Sequence, residues 1–247
     1  MRIPNQPPVV AGVAGTAGGL SAVRLAAREA VSRGTQLSIV HAFAWDGAEA
    51  RRAAAHVVEE AVATAQRCTP GADVRGQLVD GSAGSVLRRF SRTAALLVVG
   101  ATDLPTSSLL EAVTQAWCPV LVARGARPAA GPVLAAVDGS GPSVLALRHA
   151  AAEAVRRGLP LEVAGDDDAV LDRVLAGLPD LPSPERRLLT GDPAGALVRL
   201  SQRVALLALG PRGAGGAARF GSVAHELLRH GGCPTVFVHG RREPLLR

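Results

Sequence analysis

Short, evenly apolar runs alternate along the chain with longer segments in which apolar residues return every three or four positions. Runs such as Val9–Val13 and Ala95–Val99 suit strands buried on both faces of a parallel sheet. The segments between them suit amphipathic helices. In the first half the pattern predicts strands over Val9–Val13, Gln36–Ala42, Asp73–Val79, Ala95–Val99 and Val120–Ala123. Helices are predicted over Gly18–Arg33, Gly47–Arg67, Ser82–Thr93 and Thr106–Ala116. In the second half strands are predicted over Val133–Val137, Leu161–Ala164, Glu185–Thr190, Val204–Leu209 and Thr235–Val238, with helices between them. The middle of that half is abbreviated: residues 165–185 offer one short helix where the first half has a long one. Strands alternating with helices predict an α/β fold, a doubly wound parallel sheet with helices on both faces. Such a sheet takes ligands beyond the carboxyl ends of its strands, where the strand order reverses.

The two halves are copies of one another. Residues 9–40 align without gaps to residues 133–164, sharing a strand, a Gly-Thr/Ser turn and an Ala-rich helix carrying Arg-x-x-Ala-x-x-Glu-Ala-Val. Residues 80–100 align to 190–210, and Cys118–Gly125 to Cys233–Gly240. Two domains are therefore expected, 1–125 and 126–247, joined by a short linker around Ala126–Gly131.

Candidate chemistry concentrates in the second copy, between Val204 and His230. An apolar strand runs there into a loop carrying Gly210, Gly213, Gly215 and Gly216, and then into a helix starting at Gly221-Ser222. Glycines let backbone N–H groups approach an anion, and the N–H groups of Gly221, Ser222 and Val223 are expected to be free at the helix start. Arg212 adds a positive charge beside them. Strand, glycine loop and helix head read together as a phosphate cradle. A plain strand-to-helix connection is the alternative.

Asp138 ends the first strand of the same copy, in Val-Asp-Gly-Ser. With first and fourth strands adjacent, Asp138 and the glycine loop meet at one crevice, where a carboxylate can accept hydrogen bonds from a nucleoside. An Asx turn or helix cap is the competing role for Asp138, and Ser140 is expected to be structural. Ala14 stands at the matching place in the first copy, which favours a ligand role over a cap needed in both.

Composition narrows the partners. The formal charge is +6, yet all 27 basic residues are arginine, tyrosine is absent and aromatics make up 2%. Without stacking residues a specific nucleic-acid reader is not expected. No apolar run reaches the ~20 residues of a membrane span. No apolar leader opens the chain, so a cytoplasmic location is expected. Three cysteines in no metal or redox pattern predict packing roles for Cys118 and Cys233 before their prolines. Asp166-Asp167-Asp168 reads as a cap or solvated loop rather than a metal site.

The Val-Asp-Gly-Ser at the first strand, Gly-x2-Gly and then Gly-Ser after the fourth, and Cys-Pro before the fifth resemble the universal stress protein family. Two copies in one chain resemble its tandem members, over about residues 8–124 and 132–240. The resemblance implies a five-stranded sheet of order 3-2-1-4-5 and ATP or a related adenine nucleotide, with Mg2+ if bound, in the crevice. It implies that Val137 and Ala164 line the base beside Asp138. Phosphate and ribose contacts then fall on Gly210, Arg212, Gly213, Gly221, Ser222 and Val223. It also implies pairing of the fifth strands within the chain, and admits a homodimer and a protein partner.

The sequence departs from the family pattern in two ways. Seven residues, not nine, separate Gly213 from Gly221, and Pro211 lacks an N–H. The first copy has Ala14 for the aspartate and Thr106-Ser107 for Gly-Ser, so it is expected to be structural. No general base stands beside the expected phosphates and no Walker motif is present, so a non-enzymatic regulator is expected, with weak ATP hydrolysis left open. A nucleotide-free interaction or scaffold module is the other reading.

Overall fold

The structure, a computed structural model, describes residues 6–124, 131–212 and 221–239. These fall into two compact units that divide between Ala123 and Arg124.

In the first unit the strands are β1 (Val9–Gly12), β2 (Leu37–Phe43), β3 (Val74–Asp80), β4 (Leu96–Gly100) and β5 (Val120–Ala123). The helices between them are α1 (Ala17–Ser32), α2 (Ala48–Cys68), α3 (Ala83–Phe90) and α4 (Thr106–Gln115). All pairings are parallel, in the order β3-β2-β1-β4-β5. Val9 lies between Leu37 on one side and Leu96 on the other, so the strand order reverses at β1 and β4. Every residue of β1, β4 and β5 is buried, as their unbroken apolar sequences require. By contrast β3, at one end of the sheet, carries Arg75, Gln77 and Asp80 and is largely exposed. α1 packs against α2 and α3 against α4, and the right-handed rule for parallel crossovers puts the two pairs on opposite faces of the sheet. Ala22, Ala26, Ala27 and Ala30 let α1 sit close on the sheet.

The second unit repeats this plan. Its strands are β6 (Val133–Ala136), β7 (Leu161–Gly165), β8 (Glu185–Leu188), β9 (Leu206–Leu209) and β10 (Thr235–Phe237). Its helices are α5 (Gly141–Arg157), α6 (Asp168–Ala176), α7 (Pro193–Leu200) and α8 (Ser222–His230). The parallel order is β8-β7-β6-β9-β10, with Val133 between Leu161 and Leu206. The abbreviated middle holds the short α6, as expected. Its N-cap is Asp167, which accepts from the N–H groups of Ala169 at 2.8 Å and Val170 at 3.1 Å. Asp168 pairs with Arg186. The acidic run therefore caps and pairs, and only Asp166 turns to the crevice described below.

The same turn follows the first strand of each unit. Gly15 and Gly139 adopt φ of +86° and +79°, which a side chain would strain. Thr16 and Ser140 then cap α1 and α5, each hydroxyl accepting an N–H at 3.3 Å, from Gly19 and Ser143. Cys118 and Cys233 are buried just before their strands.

Candidate functional site

A cavity of about 390 Å³ opens beyond the carboxyl ends of β6, β7 and β9, within the second unit. Its floor comes from strand ends (Ala136, Val137, Ala164, Leu209), one wall from Leu189, Pro193 and Leu197, and its rim from Asp138, Asp166 and Arg212. Gly210, Gly221, Ser222 and Val223 complete it. Eight of the nine residues named from the sequence thus line one cavity, and Gly213 lies outside the described residues. On the floor Val137 and Ala164 are 4% and 0% exposed. Val137 donates its N–H to the carbonyl of Ala164 at 2.8 Å, which fixes the two against each other. Gly210 lets the chain pass over the start of α5, because a Cβ there would come 2.7 Å from Cβ of Pro142.

Polar groups are few and sit at defined places. Ser140 donates its N–H at 3.0 Å and its hydroxyl at 2.6 Å to Oδ1 of Asp138. Among the described residues no side chain caps α8, whereas Ser140, Asp167 and Asp192 cap α5, α6 and α7. Within the described part of this unit, the head of α8 is thus the helix start with no side-chain acceptor, and Ser222 and Val223 carry it into the cavity. One expectation is corrected here. The N–H of Gly221 is not free, for it donates to the carbonyl of Pro211 at 3.0 Å. That bond ties the two ends of the short loop together and leaves Ser222 and Val223 as the donors at this helix start.

The matching crevice of the first unit is arranged differently. There lies Asp103, which was not among the candidates read from the sequence. Its Oδ2 accepts the N–H of Ala14 at 2.8 Å, and its Oδ1 accepts from Thr16 through the N–H at 3.2 Å and the hydroxyl at 2.5 Å. Asp103 is 5% exposed. A second expectation falls with this observation. Ala14 does not show that the carboxylate at this turn is dispensable in the first copy, because one from the loop after β4 supplies it. Asp138 is therefore a loop-ordering residue as well as a cavity residue. One sequence signal was available: continuing the repeat frame from Gly100 and Gly210 puts Asp103 opposite Gly213, in the copy that lacks the first-strand aspartate.

Burial pushes the thiols of Cys118 and Cys233 up to about 12, well above their ordinary 9.0, so both stay protonated. Among the described residues no cluster of three or more His, Cys, Asp or Glu could hold a metal ion. No helix among them is long and apolar enough to cross a membrane.

The fold and crevice are those of a doubly wound α/β protein with its ligand position at the strand-order reversal. No protein-family model matches the chain. A universal stress protein of Mycolicibacterium smegmatis (strain ATCC 700084 / mc(2)155) is 27% identical to it, over 94% of this chain and 97% of that protein. Another, from Mycobacterium tuberculosis strain H37Rv, is 27% identical over 96% of each. Among solved structures, a universal stress protein from Archaeoglobus fulgidus DSM 4304 matches with a TM-score of 0.77 at 16% identity, covering 94% of this chain and 98% of that one. The chain is thus similar to universal stress proteins along nearly its full length, in sequence to the curated proteins and in fold to the solved one.

Proposed function

We propose that the second unit binds ATP or a related adenine nucleotide, and that the protein is a universal-stress-type regulator whose first unit is structural. The observation that carries this is the convergence on one cavity of Asp138, Gly210, Arg212 and the head of α8, which no side chain among the described residues caps. Its volume falls in the range of small-molecule sites, and its walls are apolar with a few oriented polar groups. The base would lie on Val137 and Ala164, and the phosphates at the N–H groups of Ser222 and Val223 beside Arg212. Mg2+ would enter with the phosphates, held mostly by their oxygens and by water.

The ionisable groups of the described lining are Asp138, Asp166 and Arg212, and Asp138 is engaged by the N–H and hydroxyl of Ser140, which supports a protein that holds the nucleotide rather than turning it over. A nucleotide-free scaffold is the second reading, favoured by the engagement of the Gly221 N–H with Pro211. Thermal-shift titration with ATP, ADP, AMP and adenosine separates the two. A saturable rise in melting temperature supports the regulator, and none at millimolar nucleotide leaves the scaffold.

A further inference from the structure

We propose that Asp103 is a built-in occupant of the first unit's crevice. Its carboxylate performs there the loop-ordering task that Asp138 performs in the second unit, and it shuts a latent nucleotide site in doing so.

The two units make the same demand and meet it from different strands. After each first strand the chain turns through a positive-φ glycine, then offers an N–H and a hydroxyl from Thr16 or Ser140. In the second unit both are taken by Asp138, two residues earlier in the chain, and the space beyond remains part of the cavity. In the first unit they are taken by Asp103, 87 positions away, in the connection that follows β4. A carboxylate at the head of α1 is also where the helix dipole favours negative charge.

Accompanying residues have changed together. In the repeat frame Ala14, Gly18 and Gly19 stand opposite Asp138, Pro142 and Ser143. A Cβ on Gly19 would lie 2.5 Å from Oδ2 of Asp103, and one on Gly18 would lie 2.5 Å from Oγ1 of Thr102. Gly100 passes so close that its Cβ would meet the carbonyl oxygen of Gly18 at 2.7 Å. Gly18, Gly19 and Gly100 thus clear the volume into which Thr102 and Asp103 pack. Five residues, 101–105, connect β4 to α4, against the twelve from 210 to 221 between β9 and α8. That short connection is too small to wrap a chain of phosphates, so the ligand class of the opened crevice is a nucleoside monophosphate.

The test moves the carboxylate from one strand end to the other in the full chain, with Asp103→Gly, Ala14→Asp and the double variant. Hydrogen exchange at residues 14–16 and melting temperature are read for each. Asp103→Gly is expected to speed exchange at Ala14 and Thr16 at least tenfold and to lower the melting temperature. Ala14→Asp alone is expected to lower it too, because two carboxylates then compete for one set of donors. In the Asp103→Gly background the same change restores the melting temperature and the slow exchange at Thr16, the N–H of residue 14 staying fast because Gly19 lacks the hydroxyl by which Ser143 takes the Asp138 N–H. An Ala14→Asp effect of the same sign and size in both backgrounds overturns the shared-donor claim. If Asp103→Gly does not fold, Asp103→Asn, which keeps one acceptor, gives the exchange readout.

Calorimetry with AMP then reads closure, and this arm rests on the nucleotide reading of the second unit. One equivalent for the wild type and two for the double variant support a shut site. One equivalent for both, with the loop protected, overturns closure. Wild type binding neither AMP nor ATP sinks the reading of the second unit; a first equivalent of AMP appearing in the double variant would still support closure, and none there would overturn it.

Discussion

The hydroxyl of Ser140 donates to Oδ1 of Asp138 at 2.6 Å, and the same Oδ1 accepts the Ser140 N–H at 3.0 Å. Removing the carboxylate therefore withdraws an acceptor from the turn that enters α5, as well as a polar group from the cavity rim. Asp138→Ala is expected to lose about 1–2 kcal/mol of stability, the size of a lost cap. Asp138→Asn keeps an acceptor and is expected to recover most of that loss while remaining weaker for nucleotide. Urea denaturation of both variants checks the ordering, and an Asn variant as unstable as Ala contradicts it.

The paired glycines at the ends of β4 and β9 separate packing from binding. A Cβ on Gly100 meets the carbonyl oxygen of Gly18 at 2.7 Å, and a Cβ on Gly210 meets Cβ of Pro142 at the same distance. Gly100→Ala and Gly210→Ala are each expected to cost about 1–3 kcal/mol, as overpacking does. Of the two, Gly210→Ala is expected to weaken nucleotide binding, because Gly210 lines the cavity and Gly100 does not. Denaturation midpoints and ligand titration of the two variants read this difference.

The buried thiols set an alkaline limit. Cys118 and Cys233 titrate at about 12 in the folded chain against 9.0 ordinarily. Above pH 9 the unfolded chain releases these protons and the folded chain keeps them, so the unfolded state binds fewer and stability falls as pH rises toward 12. The slope approaches ~1.4 kcal/mol per pH unit for each thiol. Denaturation under reducing conditions at about pH 8 and about pH 10 is expected to show the loss, and Cys118→Ala with Cys233→Ala to flatten it. Cys68 is exposed, so a thiol reagent at neutral pH is expected to label it in the native protein before the other two.

Most of the fold is legible in the sequence because parallel strands buried on both faces must be apolar throughout. Val9–Gly12 and Leu96–Gly100 announce themselves in that way. The internal repeat then carries the topology from one unit to the other. Boundaries shift where side chains end a helix early. Ser82 and Ser91, inside the segment expected to be helical, cap α3 instead. The cavity was legible because its residues sit at strand ends in a fold whose ligand position is fixed by topology. Asp103 was not, since an acidic residue in a short loop looks solvated until the strand order brings it to Thr16. The Gly221 N–H escaped for a similar reason, as its acceptor on Pro211 comes within reach only when the two ends of the loop meet.

The most direct test of the central claim is isothermal titration of the full chain with ATP, beside Asp138→Asn and Arg212→Ala. One equivalent is expected for the wild type, with at least tenfold weaker binding in each variant, and Arg212→Ala losing ATP affinity but little affinity for adenosine. No heat at millimolar ATP, or a wild-type isotherm that both variants reproduce unchanged, contradicts the account.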